Sequence, residues 1–138
     1  MPNIYTKPLS QNTRQWSDLD LNFTRHPVTN DVTRKLNVEA IKRSVKNLIL
    51  TNRYERLFHP EIGSSLTGLL FELVSPTTAN VIESTIRQTL VNYEPRIIVD
   101  DITISGDIDR NGYNATIQFT TINTLTPVTI EFFLERLR

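Results

Sequence analysis

The feature that most constrains the fold is a change in the period of the apolar residues near Arg96. Before it, from Val38 to Leu90, apolar side chains recur three and four positions apart, as on the buried stripe of an α-helix. After it, from Ile102 to Leu134, they alternate with polar residues, which is typical of strands with one buried face. Helices followed by a run of strands predict an α+β fold, with three helices preceding an antiparallel β-meander.

Two helices are predicted in the first half of the chain. The first begins at Asn37, a residue type that caps helix N-termini, and ends near Asn52. The second is short, and Ser64 or Ser65 is its predicted cap. The side chains predicted to be buried are Val38, Ile41, Val45, Leu48 and Ile49 on the first helix, and Leu66, Leu69, Leu70 and Leu73 on the second.

Three strands are predicted in the last third of the chain. Asn111-Gly112 favours a tight type I′ hairpin turn between the first two, because both residues tolerate positive φ. Pro127 opens the third strand, which is apolar on both faces. The predicted core residues are Ile102, Ile104 and Ile108, then Tyr113, Ala115, Ile117 and Phe119, then Val128, Ile130, Phe132 and Leu134, with Phe133 and Leu137 on the opposite face.

Residues 1–36 are interpreted as an extended N-terminal arm, and residues 37–138 as a single α+β domain. The arm is polar and lacks a helical period, but Leu19, Leu21 and Phe23 alternate with polar residues. Two interpretations fit this alternation. One is an ordinary edge strand of the same domain, and the other is an arm that pairs with a neighbouring chain.

Charge and composition exclude several classes of function. The 15 Lys and Arg residues balance 15 Asp and Glu residues, so the chain lacks the positive field that non-specific nucleic-acid binding requires. The absence of cysteine excludes disulfides, thiolate nucleophiles and cysteine-ligated zinc. No apolar run approaches the roughly 20 residues that cross a membrane, and no signal peptide is evident. We therefore expect a protein that assembles in a cytoplasm, without membrane partners.

Residues that could carry chemistry do not form a recognised motif. His26 and His59 each adjoin a proline and lack metal-ligand spacing. The glycines form no phosphate-binding loop, and no serine lies in a nucleophile turn. We expect no metal, cofactor or small-molecule substrate. A glycosidase needs two carboxylates about 5–9 Å apart. The chain offers five, and their spacing selects no pair: Glu61, Glu72, Glu94, Asp100 and Asp101.

The third predicted helix ends in a rigid, charged corner. Ser75 caps this helix and Pro76 takes its first position, with a buried stripe of Ala79, Ile82, Ile86 and Leu90. Pro95 ends it and fixes the backbone between Glu94 and Arg96, although the helix dipole disfavours an acid at this end. Two interpretations stay open: a solvated local ion pair, and a docking site in which Arg96 binds a partner's carboxylate.

Three segments together resemble a known family. They are FHPEIGS (58–64), LLFE (69–72) and YEPR (93–96). This arrangement resembles the sheath-initiator baseplate wedge family of contractile-tailed phages, also labelled lysozyme-like or baseplate assembly protein W. It is similar as well to the baseplate component of type VI secretion. The resemblance covers about residues 36–137, and WSDLDLNF (16–23) is similar to the start of many members. His59 departs from the aspartate that members commonly carry.

The resemblance implies a structural protein of the virion tail baseplate, assembled in the host cytoplasm, and not an enzyme. It implies docking of baseplate wedge proteins at Glu94, Pro95 and Arg96. It also implies that strands of the tail sheath protein pair with the sheet, so that this chain templates sheath assembly. The tail tube is a further candidate neighbour. The alternative is a peptidoglycan-degrading, lysozyme-like glycosidase.

Overall fold

The computed structural model describes residues 16–123 and 126–137. Its elements in chain order are β1 (Ser17–Leu19), β2 (Arg34–Leu36), α1 (Asn37–Leu50), α2 (Leu66–Leu69), α3 (Pro76–Tyr93), β3 (Ile97–Asp107), β4 (Gly112–Thr121) and β5 (Pro127–Glu135). β1 and β2 form a short antiparallel pair, and β3, β4 and β5 form an antiparallel meander in that order. The predicted α+β class is confirmed.

One hydrophobic core joins the helices to the meander. α3 packs against β3 and against α1. Every second residue of β4 faces this core, as the alternation predicts. The buried stripes predicted for α3 and β4 are confirmed in full, and that of α1 is confirmed except for the half-buried Val38. The buried members are Ile41, Val45, Leu48, Ile49, Ala79, Ile82, Ile86, Leu90, Tyr113, Ala115, Ile117 and Phe119.

α3 begins and ends where the sequence predicts. The hydroxyl of Ser75 accepts a hydrogen bond from the amide of Thr78 at 3.1 Å, and Pro76 is the first helical residue. The last residue is Tyr93, two positions before Pro95. Because both ends are fixed by local chemistry, the position of the following corner is fixed too.

The predicted cap of α1 was wrong, and that of α2 was correct in position only. Leu36, not Asn37, occupies the cap position of α1, because β2 runs directly into the helix. Asn37 has a positive φ of 48° and its side chain accepts a hydrogen bond from the amide of Trp16. α2 is a single turn, and one of its two predicted caps, Ser65, occupies the N-cap position but makes no side-chain capping hydrogen bond. Leu73, predicted to be buried, is 72% exposed. The hydroxyl of Ser64 binds the carbonyl of Ile49 instead of capping α2.

The predicted type I′ turn at Asn111-Gly112 was also wrong. Gly112 is already paired with Asp107 in the ladder, so residues 108–111 form a four-residue connection. Of the two turn residues, only Asn111 has a positive φ, at 52°. The carboxylate of Asp107 accepts the amide of Arg110 at 3.0 Å and closes this longer turn. Ile108 consequently lies in the turn, 82% exposed, and not in the core.

β3 and β5 are the outer strands of the meander in the described part of the chain. On β5, Leu134 is buried, while Val128, Ile130 and Phe132 on the same face remain partly exposed. Phe133 lies on the opposite face, and the guanidinium of Arg110 stacks 4.1 Å from its ring centroid. β5 therefore carries apolar side chains on both faces, as predicted. The face that bears Val128, Ile130 and Phe132 is not fully covered by the rest of the described chain.

The N-terminal segment folds back within the chain as far as it is described. β1 pairs with β2, and the backbone between them closes through bonds such as the amide of Asp20 to the carbonyl of Thr33. Leu19, Leu21 and Phe23 are 51–68% exposed. We refer to residues 17–36 as the N-terminal hairpin. Residues 1–15 of the predicted arm lie outside the described residues.

Candidate docking site

Glu94, Pro95 and Arg96 form the entire connection between α3 and β3. The amide of Glu94 donates to the carbonyl of Leu90 at 2.9 Å and continues the helical pattern by one residue. Pro95 then prevents further helix, because its ring excludes the preceding residue from α-helical backbone angles. We call these three residues the corner. Their backbone is held by a helix on one side and a sheet on the other.

Glu94 lies under the surface, with its side chain bound from two directions. Only 3% of the residue is exposed. The guanidinium of Arg96 donates twice, from Nε to Oε1 at 2.6 Å and from Nη2 to Oε2 at 2.8 Å. The hydroxyl of Ser44 on α1 donates to Oε2 at 2.6 Å. The ion pair that was one of the two interpretations thus forms within the chain, and it is bidentate and buried on the carboxylate side.

The protonation of the corner follows from these bonds. Burial by itself would raise the pKa of Glu94, but the hydrogen bonds from Arg96 and Ser44, with the charge of Arg96, outweigh it and lower the pKa. The hydrogen bond to Glu94 raises the pKa of Arg96 against the opposing effect of burial. Both groups are therefore charged at neutral pH, and Glu94 orients Arg96.

Pro95 and Arg96 are the members of the corner that reach the surface. Pro95 is exposed, and 23% of the Arg96 side chain is accessible. The Nη1 atom of Arg96, which Glu94 does not bind, lies 3.8 Å from Oδ2 of Asp18 on β1. Since Asp18 is itself 44% exposed, water screens this contact and it is weak. The corner therefore presents an oriented, partly free guanidinium beside a proline.

Asp20 fastens the N-terminal hairpin to α1, and sequence reasoning missed it. The residue is 1% exposed, and its carboxylate lies 3.3 Å from Arg43 and 3.8 Å from Lys35. A hydrogen bond from the amide of Asn22 is the largest cause that lowers the pKa of Asp20. The only available signal was the Asp-Leu-Asp-Leu alternation, which places Asp18 and Asp20 on one side of the strand.

A groove of about 300 Å³ adjoins the corner. The N-terminal hairpin contributes Leu19 and Leu21 to its wall, α1 contributes Leu48, and the end of α3 contributes Tyr93. Arg56 reaches it from the loop between α1 and α2. We call this the corner groove. It extends the exposed surface of the corner with apolar side chains.

A second groove of about 310 Å³ separates α1 from the outer strand β5. Lys42 and Lys46 of α1 line one side, and Ile130 and Phe132 of β5 line the other. The partly exposed inner face of β5 described above thus opens into this space. We call it the edge groove.

The sequence and the fold of this chain both match known baseplate proteins. Residues 36–125 match the family described as Baseplate wedge protein gp25, and this segment includes the whole corner. The chain belongs to this family. It is a baseplate wedge component of a contractile tail, as the resemblance implied. A curated relative, Baseplate wedge protein gp25 of Enterobacteria phage T4, is 38% identical over 87 residues, which cover 56% of this chain and 66% of the relative. The match thus spans slightly less than two thirds of the relative.

Solved structures share the fold of this wedge protein at low sequence identity. A protein named as a tail lysozyme, from Geobacter sulfurreducens, has a TM-score of 0.67 and 24% identity, covering 72% of this chain and 91% of its own. A chain of the anti-feeding prophage baseplate has a TM-score of 0.62 and 18% identity, covering 90% and 88%. A chain of the type VI secretion baseplate complex has a TM-score of 0.51 and 18% identity, covering 70% and 92%.

The five carboxylates considered for glycosidase chemistry are engaged in local contacts. Glu72 accepts the hydroxyl of Thr78, Asp100 that of Thr120, and Asp101 that of Thr103, while Glu61 lies 3.2 Å from His59. Among residues 16–123 and 126–137, no group of three His, Cys, Asp or Glu side chains is placed to hold a metal ion. No helix in this part of the wedge protein has the length and apolar character needed to cross a membrane.

Proposed function

We propose that this chain is a non-enzymatic wedge component that docks to wedge proteins of the baseplate through Pro95 and Arg96, with Glu94 as the buried support, and that its outer strand β5 templates the tail sheath. The buried, bidentate pair between Glu94 and Arg96 carries the first part of this proposal. The edge groove beside β5 carries the second.

The pair supports docking because it orients the guanidinium before any partner arrives. Arg96 loses its rotamer freedom on folding, so little further entropy is lost when a partner binds. Glu94 accepts hydrogen bonds from Nε and Nη2 of Arg96. The weak contact with Asp18 leaves Nη1 of Arg96 available to a partner's carboxylate. Pro95 adds a rigid apolar contact next to this charge.

The docking proposal is tested by replacing the exposed chemistry while keeping the buried charge pair. Arg96→Lys retains a cation that reaches Glu94 but loses the planar, multidentate head. We expect it to weaken binding to a wedge complex assembled without this chain about 10-fold or more, measured by biolayer interferometry. Ser44→Ala is the control, because it removes the other hydrogen bond to the Glu94 carboxylate and leaves Pro95 and Arg96 unchanged. Wild-type binding by Arg96→Lys would remove the corner from the interface.

The edge groove supports sheath templating by strand addition. An outer strand offers unpaired backbone groups, and an added strand beside β5 would also cover the partly exposed Val128, Ile130 and Phe132. We expect Phe132→Ser to slow nucleation of sheath on baseplates, counted by electron microscopy. Phe133→Ser is the matched control, because it alters the opposite face of the same strand. Equal effects of the two variants would contradict the proposal.

The absence of glycosidase activity is supported by the state of Glu94. A general acid needs a raised pKa, whereas hydrogen bonding holds the pKa of Glu94 below its ordinary value. The hydrogen bond that Glu61 accepts from its own amide likewise lowers the pKa of Glu61. Incubation with purified peptidoglycan tests this part of the proposal. Release of soluble muropeptides that is lost in Glu→Gln variants at Glu61, Glu72 or Glu94 would overturn it.

A further inference from the structure

The loop between α1 and α2 exposes three large apolar side chains within five residues. Tyr54 is 83% exposed, Leu57 92% and Phe58 90%. Single exposed apolar residues are ordinary on protein surfaces, but a cluster of this kind marks an interaction site. None of the three belongs to the core or packs against it, whereas Ile62 of the same loop does. We call residues 53–63 the aromatic loop.

Backbone hydrogen bonds close the aromatic loop across its tip and at its base. The amide of Tyr54 donates to the carbonyl of Pro60 at 2.8 Å, which closes the loop across its apolar tip. At its base, the amide of Ser64 donates to Thr51 at 2.8 Å. Gly63 has a φ of 143°, and a Cβ there would lie 2.7 Å from the carbonyl oxygen of Thr51. Tyr54 itself has a φ of 68°, an uncommon conformation for a residue with a side chain.

Two arginines and two glutamates surround the apolar tip, and they differ in whether local groups already bind them. Glu55 accepts the amide of Asn52 at 2.8 Å, and Glu61 pairs with His59 at 3.2 Å, so both acids are engaged within the loop. In the described part of the chain, Arg53 and Arg56 make no side-chain hydrogen bond or ion pair. A partner that covers this loop must therefore meet apolar side chains flanked by two free cations.

The aromatic loop and the corner belong to one continuous surface. Arg56 and Ile62 line the corner groove together with Asp18 and Tyr93. Asp18 contacts Arg96, and Tyr93 directly precedes Glu94. A partner seated on the corner thus reaches the base of the loop without leaving the surface of this chain.

We propose that the aromatic loop is a second anchor of the wedge-docking surface. Tyr54, Leu57 and Phe58 insert into an apolar depression on the partner protein, and acidic residues at its rim face Arg53 and Arg56. This inference rests on the proposed docking at the corner and adds the chemistry of the partner. The rigid loop suits this role because ordered aromatic and arginine side chains carry most of the free energy at protein interfaces.

The proposal is tested with the double variant Leu57→Ser/Phe58→Ser, bound to the wedge complex assembled without this chain. We expect Kd to rise about 30-fold or more, because interface anchors of this kind dominate affinity. Ile108→Ser is the matched control, since Ile108 is 82% exposed but lies in the turn between β3 and β4. Thermal unfolding of both variants checks that each one folds. Arg53→Glu/Arg56→Glu should also weaken binding and reduce its dependence on salt.

The outcomes separate this inference from the docking proposal. If Arg96→Lys weakens binding and the loop variants do not, docking at the corner stands and the aromatic loop is excluded. If the loop variants weaken binding and Arg96→Lys does not, the loop is the anchor and the corner is excluded. Two other outcomes would overturn the proposal if wedge binding is unchanged in the loop variants. Self-association in sedimentation that the loop variants abolish would assign a second copy of this chain to the loop. Binding to vesicles of phosphatidylcholine and phosphatidylglycerol that the loop variants abolish would assign a lipid surface to it.

Discussion

Replacing Arg96 by alanine removes two hydrogen bonds from a carboxylate that is 3% exposed and leaves it the hydroxyl of Ser44. Breaking a buried ion pair on one side destabilises a protein by about 3–5 kcal/mol, because the remaining charge is uncompensated. Since the Arg96 side chain is 23% exposed, water takes over part of its role, and we expect the lower end, about 3 kcal/mol. For a domain of this size the midpoint of thermal unfolding should fall by roughly 10 °C.

The pH dependence of this loss gives the sharper test. The pKa of Glu94 in the folded protein lies below its ordinary value of 4.5. Its charged form therefore stabilises the fold above that value, and the contribution is lost as the pH falls through the folded pKa. Without Arg96, burial is far less opposed and the pKa of Glu94 should rise. The difference in unfolding free energy between wild type and variant should then be full at pH 7, shrink as the pH falls through the raised pKa of Glu94 in the variant, and level off below the lowered pKa of Glu94 in the wild type.

Urea unfolding followed by circular dichroism at pH 7 and pH 3.5 measures both quantities. Arg87→Ala is the control, since Arg87 pairs with Glu83 at 3.5 Å on the solvent face of α3, where both side chains are about 40% exposed. That exposed pair should contribute no more than about 0.5 kcal/mol. A loss for Arg96→Ala as small as that of the control, or one that does not change with pH, would refute the view of Glu94 as a buried anchor.

Three further changes test other parts of the structure. Asp20→Asn should release the N-terminal hairpin from α1. Amide hydrogen exchange should then become faster in residues 17–36 while α3 stays protected, and unchanged exchange would contradict the role of Asp20. Gly63→Ala should destabilise the fold by about 2 kcal/mol in urea unfolding, because its Cβ would meet the carbonyl of Thr51. Ser75→Ala should cost about 1 kcal/mol by the same assay, because α3 loses its cap, and Ser84→Ala, on the exposed face of that helix, should change little.

The sequence predicted those elements in which local preference and tertiary packing agree. α3 has a capping serine, a proline at its first position and a continuous buried stripe, and no distant contact opposes them. β4 is covered on one face, so its alternation was unambiguous. The prediction of the hairpin turn was wrong because the strand register determines the turn length. Pairing of Asp107 with Gly112 leaves four residues to connect the strands. The prediction that Asn37 caps α1 was wrong because β2 continues into α1 without a gap.

The corner shows a different limit. Its three residues were found from their chemistry, but the depth of Glu94 was not, because burial depends on α1. Ser44 is 50 residues away from Glu94 in sequence, and no local pattern connects them. The contact of Asp20 with α1 was missed for the same reason, since Arg43 lies on another element. Adjacent residues of α1 thus bind the two carboxylates that fix the corner and the N-terminal hairpin.

This arrangement explains how an acid can end α3 against the helix dipole. The unfavourable dipole interaction is about 0.3–1 kcal/mol. It is outweighed by the charge-assisted hydrogen bonds from Arg96, each worth about 1.5–3 kcal/mol. Because the same guanidinium stabilises the fold and is offered to a partner, removing it changes both properties together. Arg96→Lys and Ser44→Ala separate them, since the first alters the exposed head group and the second removes a hydrogen bond to Glu94 without changing Pro95 or Arg96. If the corner is a docking site, the affinity for the wedge complex should therefore change with the exposed head group at position 96 and not with the free energy of unfolding.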